Sequence, residues 1–265
     1  MNFQGSFLSD KSKDISSEMS PVKNQGNLGT CATFSSVALV EKYIQKDLSE
    51  ECLLRYRGGF QGDMTKDVLN DISKYGLVEE KKYKVSGKTY DCVYDDSKEK
   101  EDISKKQYQE LSTAGGHFAK GFHLVHENDT QVGDDYYPPN ILLGDGGKSF
   151  DYIKSQIDNG NPVVIGVVVP QSKDETKSFQ GGDGKHVIDM TKGDNCSGKP
   201  LHEGDNFFEV GCPGHAIVLT GYDDAQKYFV FKNSWGTKWG YEGYGKLSYD
   251  YLANYRVSTT SVIEK

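Results

Sequence analysis

At 265 residues the chain is long enough to bury a substantial core, as one domain or as two lobes over a cleft. Its formal charge of −8 and acidic pI exclude the basic face that a nucleic-acid partner needs. No apolar run approaches the roughly 20 residues of a membrane span, and the longest, 163–169, has strand length and contains Gly166.

In chain order, residues 1–20 form a polar lead-in without the apolar core of a signal peptide, so either the protein is cytosolic or a leader lies outside this sequence. From residue 31 to 46 the pattern is helical, with Phe34, Val37, Ala38, Tyr43 and Ile44 mostly on one face and no Gly or Pro inside. That places Cys31 at a helix N-terminus. Leu48-Ser49-Glu50-Glu51 opens a second short helix. A third covers 63–75, with Val68, Leu69, Ile72 and Tyr75 apolar and Gly76 as its stop. Residues 81–135 are polar and carry no clear periodicity. A short helix is predicted over 150–159. Then the pattern changes: 163–169, 216–222, 228–233 and 243–249 are rich in β-branched and aromatic residues and are predicted strands. Asp223-Asp224 and the stretch 236–243 are the turns between them. Residues 171–211, rich in Gly, Asp and Lys, form a long excursion. There is no internal repeat. A helical half followed by a β-rich half is an α+β pattern.

Five cysteines, Cys31, Cys52, Cys92, Cys196 and Cys212, make an odd count, which suggests one free thiol. If Cys31 is that thiol, Cys196 with Cys212 closes a short loop just before His215 and Cys52 with Cys92 is the other pair; five reduced thiols are the alternative.

Two distant stretches carry chemistry. The first is Gln25-Gly26-Asn27-Leu28-Gly29-Thr30-Cys31. The second runs from Gly214-His215-Ala216 to Asn233-Ser234-Trp235-Gly236. A thiol at a helix N-terminus beside an imidazolium is favoured as the thiolate, the nucleophilic form. His215, at a strand start, can pair with that thiolate and later protonate a leaving amine. Asn233 ends the next strand, where its amide oxygen can fix the imidazole, and Trp235 can cover that bond. Gln25 and the Cys31 backbone N–H can bind an oxyanion. Singly, each has a commoner role: a buried Cys, a core His, a turn Asn, an exposed Gln. Their order and local contexts together reverse those odds.

Carrying these motifs, the chain resembles the papain-like (cathepsin-type) cysteine peptidases over nearly its whole length. Further matches are Leu48-Ser49-Glu50-Glu51, Arg57-Gly58-Gly59-Phe60, Pro162-Val163, the run 234–240 and Gly243-Tyr244. The resemblance implies a two-lobe fold, with a helical N-terminal lobe, an antiparallel β-sheet or barrel C-terminal lobe and the active-site cleft between. It implies Cys31 as nucleophile, His215 as acid/base, Asn233 as orienter and Gln25 as oxyanion donor. Gly58 and Gly59 would pair with the substrate strand. Phe60, Ala216 and the region of Gly166 would line an apolar side-chain pocket, floored somewhere within 252–255. The implied organisation is a lead-in over 1–20 and a peptidase domain over 21–265, its lobes at about 21–145 and 146–265, with insertions at about 100–145 and 171–211.

The departures are specific. Ala32 stands where the family has Trp, and Leu28 where it has a Cys. Cys52 lies four residues before its expected place at Tyr56. The family's long inhibitory propeptide does not precede the core, which raises the idea that residues 1–20 cover the cleft. His117, His123 and His126 lack carboxylate or Cys partners at ligand spacing, so no metal and no cofactor is expected. The expectation is a secreted, monomeric cysteine endopeptidase acting on peptides or proteins, away from membranes and nucleic acid. An exopeptidase, a protein-specific deamidase or transferase, and a catalytically silent binding protein are the rivals.

Overall fold

A computed structural model describes residues 11–59, 62–115, 123–126, 146–189, 194–200, 211–255 and 261–264. The chain opens with β1 (Ser12–Asp14) and continues through α1 (Cys31–Ile44), α2 (Glu50–Tyr56) and α3 (Thr65–Tyr75). The hairpin β2 (Lys82–Val85) and β3 (Lys88–Asp91) follows, then α4 (Lys105–Gly115), β4 (His123–His126) and α5 (Gly146–Asp158). The β-rich half comprises β5 (Val163–Val168), β6 (Val187–Ile188), β7 (Asn195–Cys196), β8 (Lys199–Pro200), β9 (Gly214–Asp223), β10 (Tyr228–Lys232) and β11 (Tyr244–Ser248). Helix α6 (Tyr249–Tyr255) and β12 (Ser261–Glu264) end the described chain. The main sheet has the order β4-β12-β5-β9-β10-β11-β6, with β1 added alongside β9. Its pairs are antiparallel except β11 with β6.

Helix α1 is the central pillar. Every residue from Ala32 to Glu41 is buried, so the one-sided stripe read from its sequence is widened by contacts on all sides. It stops where Gln45 turns left-handed at φ 56° and its N–H bonds Glu41 O at 2.8 Å. Helix α2 starts two residues later than Leu48, because Ser49 Oγ accepts the Cys52 N–H at 3.0 Å and so caps it. Helix α3 ends at Gly76, as predicted. The unassigned stretch 81–135 contains β2, β3, α4 and β4. Ser86 and Gly87, at φ 50° and 80°, make the tight turn of the β2–β3 hairpin.

Two hydrophobic clusters lie on opposite faces of β5 and β9. Val164, Ala216 and Val218 pack with Val37, Leu53, Leu69 and Tyr108 of the helical lobe. Their neighbours Ile165, Ile217 and Leu219 pack with Ile153, Phe229, Phe231 and Leu247 of the second lobe. Strand alternation therefore distributes the middle strands between both lobes. Both disulfides read from the cysteine count form, Cys52–Cys92 and Cys196–Cys212, and Cys31 is free.

Within the lead-in, residues 12–15 run along β9 rather than over the cleft. Lys13 pairs with Tyr222 at the far end of β9, roughly 20 Å along the strand from His215. Ile15 is buried and its N–H bonds Thr220 O at 2.8 Å. Residues 1–10 lie outside the described residues. Among the described residues no helix is long and apolar enough to cross a membrane.

Candidate active site

Cys31 is the first residue of α1, where unpaired backbone N–H groups favour an anion. Its thiol is nonetheless mostly buried, and burial pushes its pKa above the ordinary value, opposed by the backbone amides of Ala216, Ala32 and Cys31 itself. The Ala216 amide brings β9 against the helix N-terminus. Ser35 Oγ, one turn into α1, donates to Ala216 O at 2.8 Å and fixes that approach.

His215 is the second residue of β9 and pairs with Val167 of β5. Adjacent pairing of β9 and β10, down to Lys232 opposite Val218, brings Asn233 beside it. His215 Nε2 and Asn233 Oδ1 are 2.8 Å apart, and Oδ1 also accepts the Ser234 N–H at 2.8 Å. Burial drives the imidazole pKa down to about 4, with the Asn233 bond opposing the fall. Each partner taken alone thus favours its neutral form, so a thiolate–imidazolium pair has to draw its stability from mutual attraction in a low dielectric.

Aromatic rings enclose the imidazole. Trp235 lies 4.7 Å from it, centroid to centroid, tilted by 33°. Phe179 meets the ring edge-on at 5.9 Å, and its carbonyl accepts Trp239 Nε1–H at 2.8 Å. Phe179 comes from the polar excursion 171–211, and no sequence signal marked it.

The Gln25 loop is stitched to the Asn233 loop. Gln25 N–H bonds Ser234 O at 2.9 Å, Asn24 bridges Trp235, and Gly236 N–H bonds Lys23 O at 3.1 Å. The Gln25 side chain is buried; Oε1 accepts Ser234 Oγ–H at 2.6 Å and Nε2 donates to Leu28 O at 2.6 Å, leaving a second N–H on Nε2. Tyr94 OH donates to Gln25 O at 2.6 Å, a support absent from the sequence reading.

Gly58 and Gly59 have positive φ and are exposed, and Gly62 N–H bonds Gly29 O at 2.8 Å, which ties this segment to the turn before Cys31. A Cβ built on Gly59 meets nothing, so its backbone is open to an extended partner. Phe60 lies outside the described residues. Gly166 is paired directly with Ala216 across β5 and β9. The expected floor at 252–255 is displaced: Leu252 and Tyr255 belong to the second-lobe cluster, whereas Val164 and Ala216 face the helical lobe. On the edge of β5 away from β9, Val164 pairs with Ser261 of β12. His123 and His126 terminate β4, His117 lies outside the described residues, and no metal-ligand cluster occurs among the described ones.

Behind Asn233 lies a buried ionic cluster whose members look like ordinary surface charges in the sequence. Lys23 Nζ reaches Glu41 Oε1 at 2.9 Å, Asp47 Oδ1 at 2.7 Å, Glu50 Oε2 at 3.0 Å, Glu80 Oε2 at 3.0 Å and Leu48 O at 2.7 Å. Burial raises the Glu50 pKa, and the Glu41 charge adds to the rise against Lys23. Burial lowers Lys232 to about 8, opposed by Glu41 and Glu50.

Comparison with known proteins follows the same division. A family model described as "Peptidase_C39 like family" matches residues 97–259, and one described as "Papain family cysteine protease" matches 9–133. Among curated relatives, an uncharacterised peptidase C1-like protein of Acanthamoeba polyphaga mimivirus is 25% identical over 81% of this chain and 52% of its own. Peptidase 1 of Psoroptes ovis is 28% identical over 84% of this chain and 55% of its own. The chain thus spans about half the length of the curated relatives it matches. Among solved structures, xylellain, a cysteine protease from Xylella fastidiosa, superposes with a TM-score of 0.57 at 20% identity, covering 96% of this chain and 85% of its own. A Carica candamarcensis cysteine protease in complex with E-64 gives 0.56 at 23% identity, covering 96% and 98%. The chain belongs to the Peptidase_C39 like family; its residues 9–133 match the papain family model, and its fold is that of the papain-like cysteine proteases it superposes on.

Proposed function

We propose that the protein is a cysteine endopeptidase, with residues 21–265 as its catalytic domain. The observation that carries the reading is the 2.8 Å His215–Asn233 pair under Trp235, with Ala216 against the free thiol of Cys31 at a helix N-terminus. Cys31 gives its proton to His215, and the thiolate attacks the carbonyl carbon of a peptide. Gln25 Nε2 and the Cys31 N–H stabilise the oxyanion, and His215 protonates the departing amine. Water, deprotonated by His215, then hydrolyses the thioester. Asn233 keeps the imidazole oriented throughout. Gly58 and Gly59 pair with the substrate backbone, and Gly166 and Ala216, both small, line the main side-chain pocket. The chemistry uses no metal or cofactor.

Two disulfides suit an oxidising compartment, which supports secretion. The net charge of −8 argues against nucleic acid as partner, and we read the protein as a monomer acting away from membranes. Labelling with an E-64-type epoxide followed by peptide mapping tests the reading. A stoichiometric adduct at Cys31, absent from Cys31→Ala, is expected. No adduct under reducing conditions overturns it, and internal cleavage of a peptide library separates an endopeptidase from the exopeptidase and deamidase readings.

A further inference from the structure

Asn233 Nδ2, the half of the amide that His215 does not use, and Glu41 Oε2 are buried and have no hydrogen-bond partner among the described residues. Asn233 is 3% exposed and the Glu41 side chain 1%. Both residues line one small, partly open pocket with about 10 Å³ of water-accessible space, together with Glu50, Val218 and Lys232. That is about the volume a single water needs, and water sites require two or more polar partners. Lys232 Nζ donates to Ser20 O and Ser20 Oγ, each at 2.8 Å, and keeps a third N–H. The space therefore offers donors on the β10 side and an acceptor on the α1 side.

We propose that one ordered water fills this space, accepting from Asn233 Nδ2 and Lys232 and donating to Glu41 Oε2, and that Glu41 is thereby a positioning residue for Asn233 and His215. Its part in turnover rests on the peptidase reading; the bridge itself does not. An amide's two ends are nearly identical in shape, so orientation must come from polarity. A water held by a carboxylate prefers to accept from Nδ2, which turns Oδ1 toward His215. Without it, the Ser234 N–H alone opposes the flip that would aim Nδ2 at the imidazole. The charged groups lining the space are Lys23 from the loop before α1, Glu41 from α1, Glu50 from α2 and Lys232 from β10, while Asp47 and Glu80, from loops, meet Lys23 from its other side. Glu41 Oε1 is committed to Lys23 and to the Leu48 N–H at 2.8 Å, so Oε2 is the oxygen left for the bridge.

The test compares wild type, Glu41→Gln and Glu50→Gln. A crystal structure of the wild type should show a water within hydrogen-bond distance of Asn233 Nδ2 and Glu41 Oε2; a dry space, or direct contact between the two side chains, overturns the proposal. In Glu41→Gln the retained oxygen must serve Lys23 and Leu48, which puts an NH2 opposite two donors. We expect kcat to fall about ten-fold at unchanged KM, with a shifted pH profile of Cys31 alkylation. Glu50→Gln removes a charge from the same cluster without touching the bridge and should leave that pH profile in place. Equal effects in both variants would mean a purely structural role and overturn the positioning claim. If Glu41→Gln does not fold, the wild-type structure decides. A bridging water with no labelling at Cys31 defeats the peptidase reading alone, whereas labelling over a dry space defeats the bridge alone.

Discussion

Replacing Lys23 by Met should cost more stability than any surface lysine does, with a loss that depends on pH. Lys23 is the cation that Glu41 and Glu50 both contact, and each of those side chains is 1% exposed. Asp47, 68% exposed, loses little when Lys23 goes, because water screens it. Breaking a buried pair by removing one partner typically costs about 3–5 kcal/mol, since it leaves an uncompensated charge in low dielectric. At roughly 2–4 °C per kcal/mol for a chain of this size, Tm should fall by about 6–20 °C at pH 7.5. The sign of the pH dependence follows from Glu50, whose folded pKa already lies above its unfolded value through burial. A carboxyl raised in the folded state is best tolerated below its unfolded pKa and costs stability as pH rises through the folded one. Without Lys23 the rise is larger, so the deficit should shrink as pH falls from 7.5 towards 4.5. Urea and thermal unfolding of both proteins at several pH values measure it. A deficit under about 1 kcal/mol, or one of equal size at pH 7.5 and 4.5, would refute the reasoning.

Asn233→Ala removes the acceptor from the His215 ring in a buried site, at a cost of about 1–3 kcal/mol, so kcat should drop by about ten- to a hundred-fold with little change in KM. In Cys31→Ser no thiolate is present, and His215 should stay neutral at pH 5 by NMR, in line with a pKa near 4; an imidazole titrating at the ordinary value would show that burial does not control it. Opening the Cys52–Cys92 bridge by a double Ala variant frees a loop of 40 residues and should destabilise by about 4 kcal/mol in urea titrations. Trp235→Ala should expose the His215–Asn233 bond to water and lower kcat, read in the same peptide assay as a loss comparable to that of Asn233→Ala.

Much of the site was legible because its members sit in short, distinctive turns. Gln25, Cys31, His215 and Asn233 each announce a helix start or a strand end, and β-branched runs gave β5, β9, β10 and β11 directly. The hidden parts depend on distant partners. Phe179 is flanked by Ser178, Gln180 and Gly181 and becomes a core residue through rings distant in sequence, His215, Phe231, Trp235, Trp239 and Tyr251. Glu41, Glu50 and Lys232 carry charges that sequence places in solvent; pairing with Lys23 holds the two carboxylates inside, and Ser20 holds Lys232. Helix α4 shows Tyr108 and Leu111 as its buried apolar residues, too few for a periodic signal. The misplaced pocket floor has a geometric cause: α6 packs on the face of the sheet away from Val164, and side-chain alternation across a sheet cannot be anticipated before its strand order is known.

The way the two ends of the chain cross has a consequence for biosynthesis. Near its start, β1 joins the second lobe through β9; near its finish, Ile263 packs in the helical lobe's cluster and its carbonyl accepts the Tyr43 OH at 2.9 Å. That same helical cluster also takes Val164, Ala216 and Val218. A ribosome adding about 5–20 residues per second therefore carries an incomplete helical lobe for at least some ten seconds. Part of its apolar surface stays uncovered until Ile263 has emerged. The helical lobe cannot mature ahead of the second lobe, so the nascent chain depends on whatever shields it during that interval, and loss of β12 should be felt in the half made first.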